Sequence, residues 1–299
     1  MAMSGAQLSP RPVTKVWGRC HLPDPFGRFT GDGERIGEIW FDAPGDPELL
    51  VKYLFTSEPL SIQVHPDEAA ARALGHARGK DEAWLVLDAE PGAVIGLGPK
   101  RPVTREELRQ AAQAGSIEAL IDWRPVRAGD FIYVPAGTIH AIGAGLTLVE
   151  LQQHCDITLR LYDYGRPREL HLEAALDVAC LRPWSPIYAP RMIGEGRQLL
   201  ATGGHFTVER WNSSLPFRFD ADGLELVMIP LTGGADLEGV TLAAPEITFA
   251  ARRGGIWPYD SLDLLVAYPG PVRLNLVAAE RRRMIRRAGG SPGARQPLP

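Results

Sequence analysis

A chain of 299 residues with 45% hydrophobic content and a net charge of −4 is globular in composition and long enough for one large domain or two smaller ones. It has no global field to draw it to nucleic acid or to a membrane surface. No apolar run approaches the roughly 20 residues of a membrane span, and residues 1–10 lack a basic stretch followed by an apolar one, so a cytoplasmic protein without a signal peptide is expected. Cys20, Cys155 and Cys180 are odd in number, widely spaced and free of any CxxC. That argues against a disulfide framework or a thiolate zinc site and leaves packed or surface thiols.

Taken in chain order, the first informative stretch is Leu60-Ser-Ile-Gln-Val-His-Pro-Asp67, an apolar run that reads as a strand. Alternate strand residues share a face, so the Gln63 amide and the His65 imidazole point the same way. Pro66 then opens an Ala-rich helix over residues 67–77. Strands are expected at 82–88 and 93–96. Thr104-Arg-Glu-Glu107 has capping-box spacing for a helix running to about Gln113, and Ser116 is expected to cap a short helix over 117–121. Strands follow at 131–134, 147–151 and 158–161, then a third helical periodicity at 170–180. Residues 181–204 are rich in Pro, Gly and Arg and read as a crossing, and strands resume at 225–230 and 264–267. Short strands broken by turn signals, with no βαβ alternation and no GxGxxG, argue for a sandwich or barrel and against a dinucleotide fold.

The organisation read from this is a first β unit over 13–180 with helical insertions, the crossing 181–204, a second, smaller β unit over 205–279, and a basic flexible tail over 280–299. The tail groups Arg281, Arg282, Arg283, Arg286 and Arg287 without interleaved aromatics, so it reads as a solvated terminus rather than a nucleic-acid arm.

The densest motif is Gly129-Asp-Phe-Ile-Tyr-Val-Pro-Ala-Gly-Thr-Ile-His140. Gly129-Asp130 makes a tight turn into a strand, and Pro135 and Gly137 bend the chain so that His140 starts the next strand facing inward. This G-D-x4-P-x-G-x2-H pattern resembles the second conserved motif of the cupin superfamily, whose barrels hold a metal. With Gln63, His65 and Glu82, which opens the strand at 82, His140 would complete a set of two imidazoles, one carboxylate and one amide oxygen. Nitrogen and oxygen donors without thiolate suit zinc and tolerate other divalent metals. The remaining histidines, His21, His76, His154, His171 and His205, have no comparable setting and are taken as non-ligands. Arg253-Gly-Gly-Ile-Trp-Pro258 in the second unit has no histidine where a ligand would fall, so no metal is expected there.

Residues 60–67, Gly79-Lys-Asp-Glu-Ala-Trp84, residues 135–143 and Thr158-Leu-Arg-Leu-Tyr-Asp-Tyr164 together resemble type I mannose-6-phosphate isomerase. Lys15-Val-Trp-Gly18 and Gly37-Glu-Ile-Trp40 are similar to that family's N-terminal pieces, and the resemblance spans residues 13–180. It implies a mainly β fold: a cupin (jelly-roll type) barrel with helical insertions plus a second, smaller cupin-like unit. It further implies one zinc per chain on Gln63, His65, Glu82 and His140, and Arg160 as the active-site arginine. The chain is on the short side for the family. It departs from the usual pattern at Gln152-Gln-His-Cys-Asp156, at Leu159 before Arg160, and at Asp81 before Glu82, where Thr or Pro is common.

The implied reaction, interconversion of mannose 6-phosphate and fructose 6-phosphate, moves a proton between C1 and C2. It needs a Lewis acid, a base poised near neutrality, and cations for the phosphate and the developing charge. Glu150 is the candidate base, Lys80 and Arg160 the candidate cations, and Ser61, two residues from Gln63, a candidate phosphate donor. The expected partner is a small sugar phosphate, not nucleic acid or membrane. The competing readings are a different metal-dependent cupin such as an iron dioxygenase, which more often presents a His-rich set, and a non-catalytic sugar-phosphate sensor on the same scaffold.

Overall fold

A computed structural model describes residues 5–31, 33–271 and 274–278. The basic tail lies outside the described residues. In chain order the N-terminal elements are β1 (Gly5–Gln7), β2 (Ser9–Arg19), β3 (Ile36–Asp42), β4 (Leu49–Phe55), β5 (Ile62–Val64), α1 (Glu68–Ala73), β6 (Glu82–Ala89), β7 (Val94–Pro99) and α2 (Arg105–Gln113). Next come β8 (Ile121–Pro125), β9 (Phe131–Val134), β10 (His140–Ile142), β11 (Leu146–Gln153), β12 (Leu159–Tyr162) and α3 (Leu172–Val178). The C-terminal strands are β13 (Arg191–Gly194), β14 (Arg197–Thr202), β15 (Phe206–Ser213), β16 (Phe217–Thr232), β17 (Gly234–Leu237), β18 (Val240–Ala243), β19 (Thr248–Pro258), β20 (Leu262–Pro269) and β21 (Asn275–Ala278). The protein is mainly β, as expected, and among the described residues no helix is long and apolar enough to cross a membrane.

Three sheets form. A five-stranded sheet has the order β12-β5-β10-β7-β8, and a six-stranded sheet the order β2-β3-β4-β11-β6-β9. A ten-stranded sheet is built from β13 to β21 together with β1, which pairs with β19. The alternation of side chains along each strand decides how these sheets stack. In the six-stranded sheet Val51, Tyr53, Phe55, Ala83, Leu85, Val149 and Leu151 pack against Phe206, Val208, Val227, Ile229, Leu265 and Ala267 of the ten-stranded sheet. The intervening residues Leu54, Trp84, Val86 and Leu148 pack against Ile95, Leu97 and Ile142 of the five-stranded sheet. The six-stranded sheet is therefore the shared middle layer. Every residue of β4 and β11 is buried, as a strand covered on both faces requires. The outer face of the five-stranded sheet, with Ile62, Val64, Ala141, Leu159 and Leu161, is closed by Leu108 and Ala112 of α2 and Ala175 and Leu176 of α3.

The capping signal at Thr104 holds, whereas at α1 the start is set by Asp67 as the cap, with Pro66 before it rather than opening the helix. The Asp67 carboxylate accepts from Ala70 N at 2.9 Å, and Thr104 Oγ1 accepts from Glu107 N at 3.1 Å. Several lengths differ from expectation. α1 stops at Ala73 because Gly75, at φ +86, ends it in the left-handed region, so the helix does not reach 77. Ser116 makes no side-chain cap, and the segment after it is a single 3₁₀ turn, Ile117–Ala119. Ile121 belongs instead to β8, whose pairing with β7 outweighs the helical pattern. β5 ends at Val64, so His65 lies one residue past the strand, followed by Pro66, which has no N–H for a ladder. The segment 181–204, expected as a crossing, carries β13 and β14, and only its first part runs without strands. The turn between them needs Gly196, because a Cβ there would sit 2.0 Å from the Asn212 carbonyl oxygen.

Leu265 is fully buried where the middle and ten-stranded sheets meet. Leu265→Ala is expected to cost about 2–5 kcal/mol through lost transfer energy and the cavity left behind. Urea unfolding against the parent checks this; a loss under about 1 kcal/mol would mean that this interface is loosely packed.

Candidate metal centre and active site

Strand register brings the candidate residues together. On the five-stranded sheet His140 lies opposite Gln63, and Arg160 lies opposite Gln63 on its other side, so the three form a row across β10, β5 and β12. Facing them on the middle sheet, Glu82 lies opposite Gln152 and Glu150 lies between Trp84 and Lys52. His65, Glu82 and His140 converge, with their ligand atoms within 4.8 Å of one another. His65 Nε2 is 3.3 Å from Glu82 Oε1, and His140 Nε2 is 3.5 Å from Glu82 Oε2.

Each imidazole is set by its second nitrogen. His65 Nδ1 lies 2.7 Å from the Ile157 carbonyl oxygen and His140 Nδ1 lies 2.9 Å from that of Thr138. A carbonyl only accepts, so both Nδ1 atoms carry the proton and both Nε2 lone pairs face the cluster, the tautomer a metal-binding histidine needs. Glu82 is buried, yet neither of its oxygens receives a well-aligned hydrogen bond. The Lys80 ammonium approaches Oε1 to 2.7 Å, off the hydrogen-bonding direction. The Gln63 amide lies 3.4 Å from His65 Nε2 and 3.3 Å from His140 Nε2, with its NH2 toward both. Its oxygen accepts from Ser61 Oγ at 2.9 Å. A half-turn of the amide exchanges the two atoms and presents oxygen to the cluster, while Ser61 Oγ then accepts from the NH2. Two imidazole lone pairs, a carboxylate short of donors and a reversible amide fit a divalent cation of the zinc type.

Burial sets the protonation states. Burial pushes the His65 pKa down, helped by the Lys80 charge and opposed by Glu82. His140 falls to about 3, chiefly through burial. Both rings are thus neutral and able to bind a metal. Burial alone would lower the Lys80 pKa, but the Glu82 and Glu150 charges outweigh it and hold the ammonium protonated. Burial opposes the ionisation of Glu82 as well; Lys80 and the two histidines more than compensate and hold its carboxyl well below the usual range.

Glu150 is buried rather than on a surface strand. It accepts from Trp84 Nε1 at 3.0 Å and pairs with Lys52 Nζ at 3.6 Å. Burial, reinforced by the Glu82 charge and countered by Lys52 and Lys80, raises its pKa to about 7. Arg160 is held below its ordinary pKa by partial burial and the neighbouring Arg168 charge, and its Nε has no hydrogen-bond partner among the described residues. Ser61, Gln63, Lys80, Glu150 and Arg160 line one polar cavity.

That cavity adds residues the sequence reading missed: Lys15, Glu38, Lys52, Asp156, Thr158 and Arg168. Lys52 Nζ also lies 3.5 Å from Asp156 Oδ1 and 4.1 Å above the Trp40 ring. A lysine inside the apolar run Leu49-Leu-Val-Lys-Tyr-Leu-Phe55 was the available signal, since a buried cation needs a carboxylate partner. Among the histidines set aside, His171 Nδ1 accepts from Arg160 N at 3.3 Å and His205 lies 3.8 Å from Glu68.

No family model matches the chain. A mannose-6-phosphate isomerase of Streptococcus mutans is 39% identical over 193 residues, 62% of this chain and 61% of that protein. The chain thus spans about three-fifths of that relative's length. A probable mannose-6-phosphate isomerase of Bacillus subtilis, GmuF, is 33% identical over 250 residues, 69% of this chain and 79% of that protein. The chain belongs to the mannose-6-phosphate isomerase family. The fold agrees: the crystal structure of the mannose 6-phosphate isomerase from Bacillus subtilis superposes with a TM-score of 0.77 at 27% identity, over 89% of this chain and 99% of that one. A zinc-bound mannose 6-phosphate isomerase shares the fold with a TM-score of 0.66 at 15% identity, over 89% of this chain and 100% of that one. The mainly β fold that the resemblance implies is thus shared with a solved mannose 6-phosphate isomerase.

Because folding raises the Glu150 pKa, the protonated carboxyl favours the folded state. That contribution is complete below the ordinary carboxylate value of 4.5 and is lost as pH rises through about 7. Glu150→Gln cannot ionise. With metal removed, its melting temperature is expected to gain on the parent's between about pH 5 and 8 and then level off. Thermal melts across that range check it; a difference independent of pH would mean that Glu150 titrates normally.

Proposed function

We propose that this protein interconverts mannose 6-phosphate and fructose 6-phosphate, with a divalent metal, zinc by its donor set, on Gln63, His65, Glu82 and His140. The observation that carries this reading is the convergence of the His65 and His140 Nε2 atoms on a buried Glu82 carboxylate, with both Nδ1 atoms committed to carbonyls. Bound there, zinc would supply a Lewis acid for the sugar carbonyl.

The chain's own groups do the rest. Glu150 takes the C2 proton of the open-chain aldose, giving an enediol-like intermediate, and returns it to C1, while the hydroxyl proton on O2 passes to O1, so that C1–OH and C2=O of the ketose result. A carboxyl raised to about 7 suits both directions, since it can accept and release a proton near neutrality. Trp84 and Lys52 hold that carboxylate from one side. Lys80, kept charged by Glu82 and Glu150, stabilises negative charge developing on the sugar oxygens. Arg160, whose Nε is unsatisfied, holds an anionic part of the substrate, with Arg168 adding positive field on the same cavity wall. Ser61 orients the Gln63 amide, and once that amide turns its oxygen inward the Ser61 O–H is free to donate to the phosphate.

Turnover of mannose 6-phosphate is expected to vanish on chelation and return with zinc. Stoichiometric zinc without turnover would overturn the isomerase reading in favour of a sugar-phosphate sensor. His140→Ala or Gln63→Leu is expected to lose bound metal, measured by elemental analysis, and full zinc occupancy in either would remove that residue from the ligand set. Arg160→Ala is expected to lower turnover by about 10²–10³-fold with metal content unchanged. Loss of metal in that variant would make the arginine structural.

A further inference from the structure

The two faces of the middle sheet meet at Asp81. It lies between Lys80 and Glu82, both turned toward the metal centre, and is itself turned the other way. Its Oδ2 accepts from the Tyr133 hydroxyl at 2.6 Å and its Oδ1 from Ala136 N at 2.8 Å. Its backbone N–H donates to Gln153 Oε1 at 2.9 Å, and its carbonyl accepts from Gln153 N at 3.1 Å. These bonds tie the start of β6, which carries Glu82, to the turn that leads to His140. Glu82 is the first residue of β6, and just before it Asp81 is held by one backbone bond from Gln153 N and by three bonds that involve side chains. Ala136 sits in the turn leading to His140, and the same turn supplies the Thr138 carbonyl that sets the His140 imidazole. One residue on, Gly137 N donates to the His65 carbonyl at 2.7 Å.

Tyr133 carries this clamp to the C-terminal sheet. Its ring lies 5.3 Å from Phe206 and 5.0 Å, edge-on, from Tyr188. Gly203 passes so close that a Cβ there would sit 2.4 Å from the Tyr133 hydroxyl oxygen. We propose that Asp81 and Tyr133 form a positioning relay through which the C-terminal β unit buttresses the metal centre. Neither residue touches substrate; they fix the directions in which Lys80, Glu82 and His140 present their polar atoms. The inference rests on the metal-centre reading of the site.

The test is zinc affinity by chelator competition, with the melting temperature of the zinc-free protein measured alongside. The parent is measured first: a parent that binds no zinc sinks the metal-centre reading itself, before any variant is compared. Tyr133→Phe keeps the ring packing and removes only the hydroxyl, and is expected to weaken zinc binding about tenfold. Asp81→Ala is expected to weaken it by about 10–100-fold. Asp81→Asn, whose amide oxygen still accepts from Ala136 N and whose NH2 meets the Tyr133 oxygen, is expected to recover most of the loss. Gly203→Ala, made in the turn between β14 and β15 of the C-terminal sheet, is expected to weaken binding as Tyr133→Phe does. Zinc-free melting temperatures of Tyr133→Phe and Asp81→Asn are expected to match the parent's. Parent affinity in Tyr133→Phe and Asp81→Ala would overturn the relay. So would a fall in affinity matched by a fall in zinc-free melting temperature in Tyr133→Phe, since that is a folding role. Unchanged affinity in Gly203→Ala would overturn the part given to the C-terminal unit.

Discussion

The inner face of the middle sheet carries ionisable side chains between two layers of β structure, and the site depends on how those charges are balanced. Glu38, Lys52, Glu82 and Glu150 alternate with Ile39, Val51, Tyr53, Ala83, Val149 and Leu151, which face an apolar core, so none can turn to solvent without breaking the alternation. Burying a charge is costly unless it is paired. The pairing is complete: Lys15 with Glu38 at 3.0 Å, Lys52 with Glu150 at 3.6 Å, and Lys80 with Glu82 at 2.7 Å. Buried pairs of this kind are weak sources of stability. Their use lies in holding ionisable groups in fixed positions along one cavity.

The pairing is also unequal, and that inequality separates the roles of two carboxylates on adjacent strands. Glu82 has a close ammonium and two imidazoles and is held ionised. Glu150 has Lys52 at a longer distance and feels the Glu82 charge, so its pKa rises toward neutrality. One carboxylate is thereby suited to hold a cation and the other to move a proton, a division set by surroundings rather than by residue type. The neutral histidines complete the pattern, since an imidazolium could neither bind a metal nor tolerate the burial.

The sandwich alone would leave the middle sheet exposed on its other face. The ten-stranded sheet covers it with Phe206, Val208, Val227, Ile229, Leu265 and Ala267, which gives the second unit a packing role independent of any chemistry. The strand β1 adds a link, because Gly5–Gln7 pair with β19 of the C-terminal sheet just before β2 of the six-stranded sheet. Inside the second unit the buried Glu209 is fully engaged, by Arg197, by Trp211 Nε1 at 2.7 Å and by the Tyr268 hydroxyl at 2.5 Å. A carboxylate so satisfied serves the fold, in contrast to Glu82.

The sequence by itself determined what is local. Capping at Thr104 and Asp67, the Pro135–Gly137 bend that starts β10 at His140, and the strand character around Glu82 and Phe131 all follow from the backbone preferences of a few adjacent residues. His65, Glu82 and His140, which the structure brings together, were legible as candidate ligands together with Gln63 because their residue types are unusual inside apolar runs. Tertiary structure alone decided the rest. The register that sets Arg160 opposite Gln63, the entry of Lys52 and Asp156 into the cavity, the burial that tunes Glu150, and the Asp81–Tyr133 bond each join residues far apart along the chain. Strands at 191–202 escaped notice for the same reason. β13 is an exposed edge strand with little apolar pattern, and it is ordered by the neighbours it pairs with rather than by its own periodicity. Periodicity tells which face of a strand is apolar; which strand lies beside it, and therefore which charges meet, is settled only when the sheets assemble.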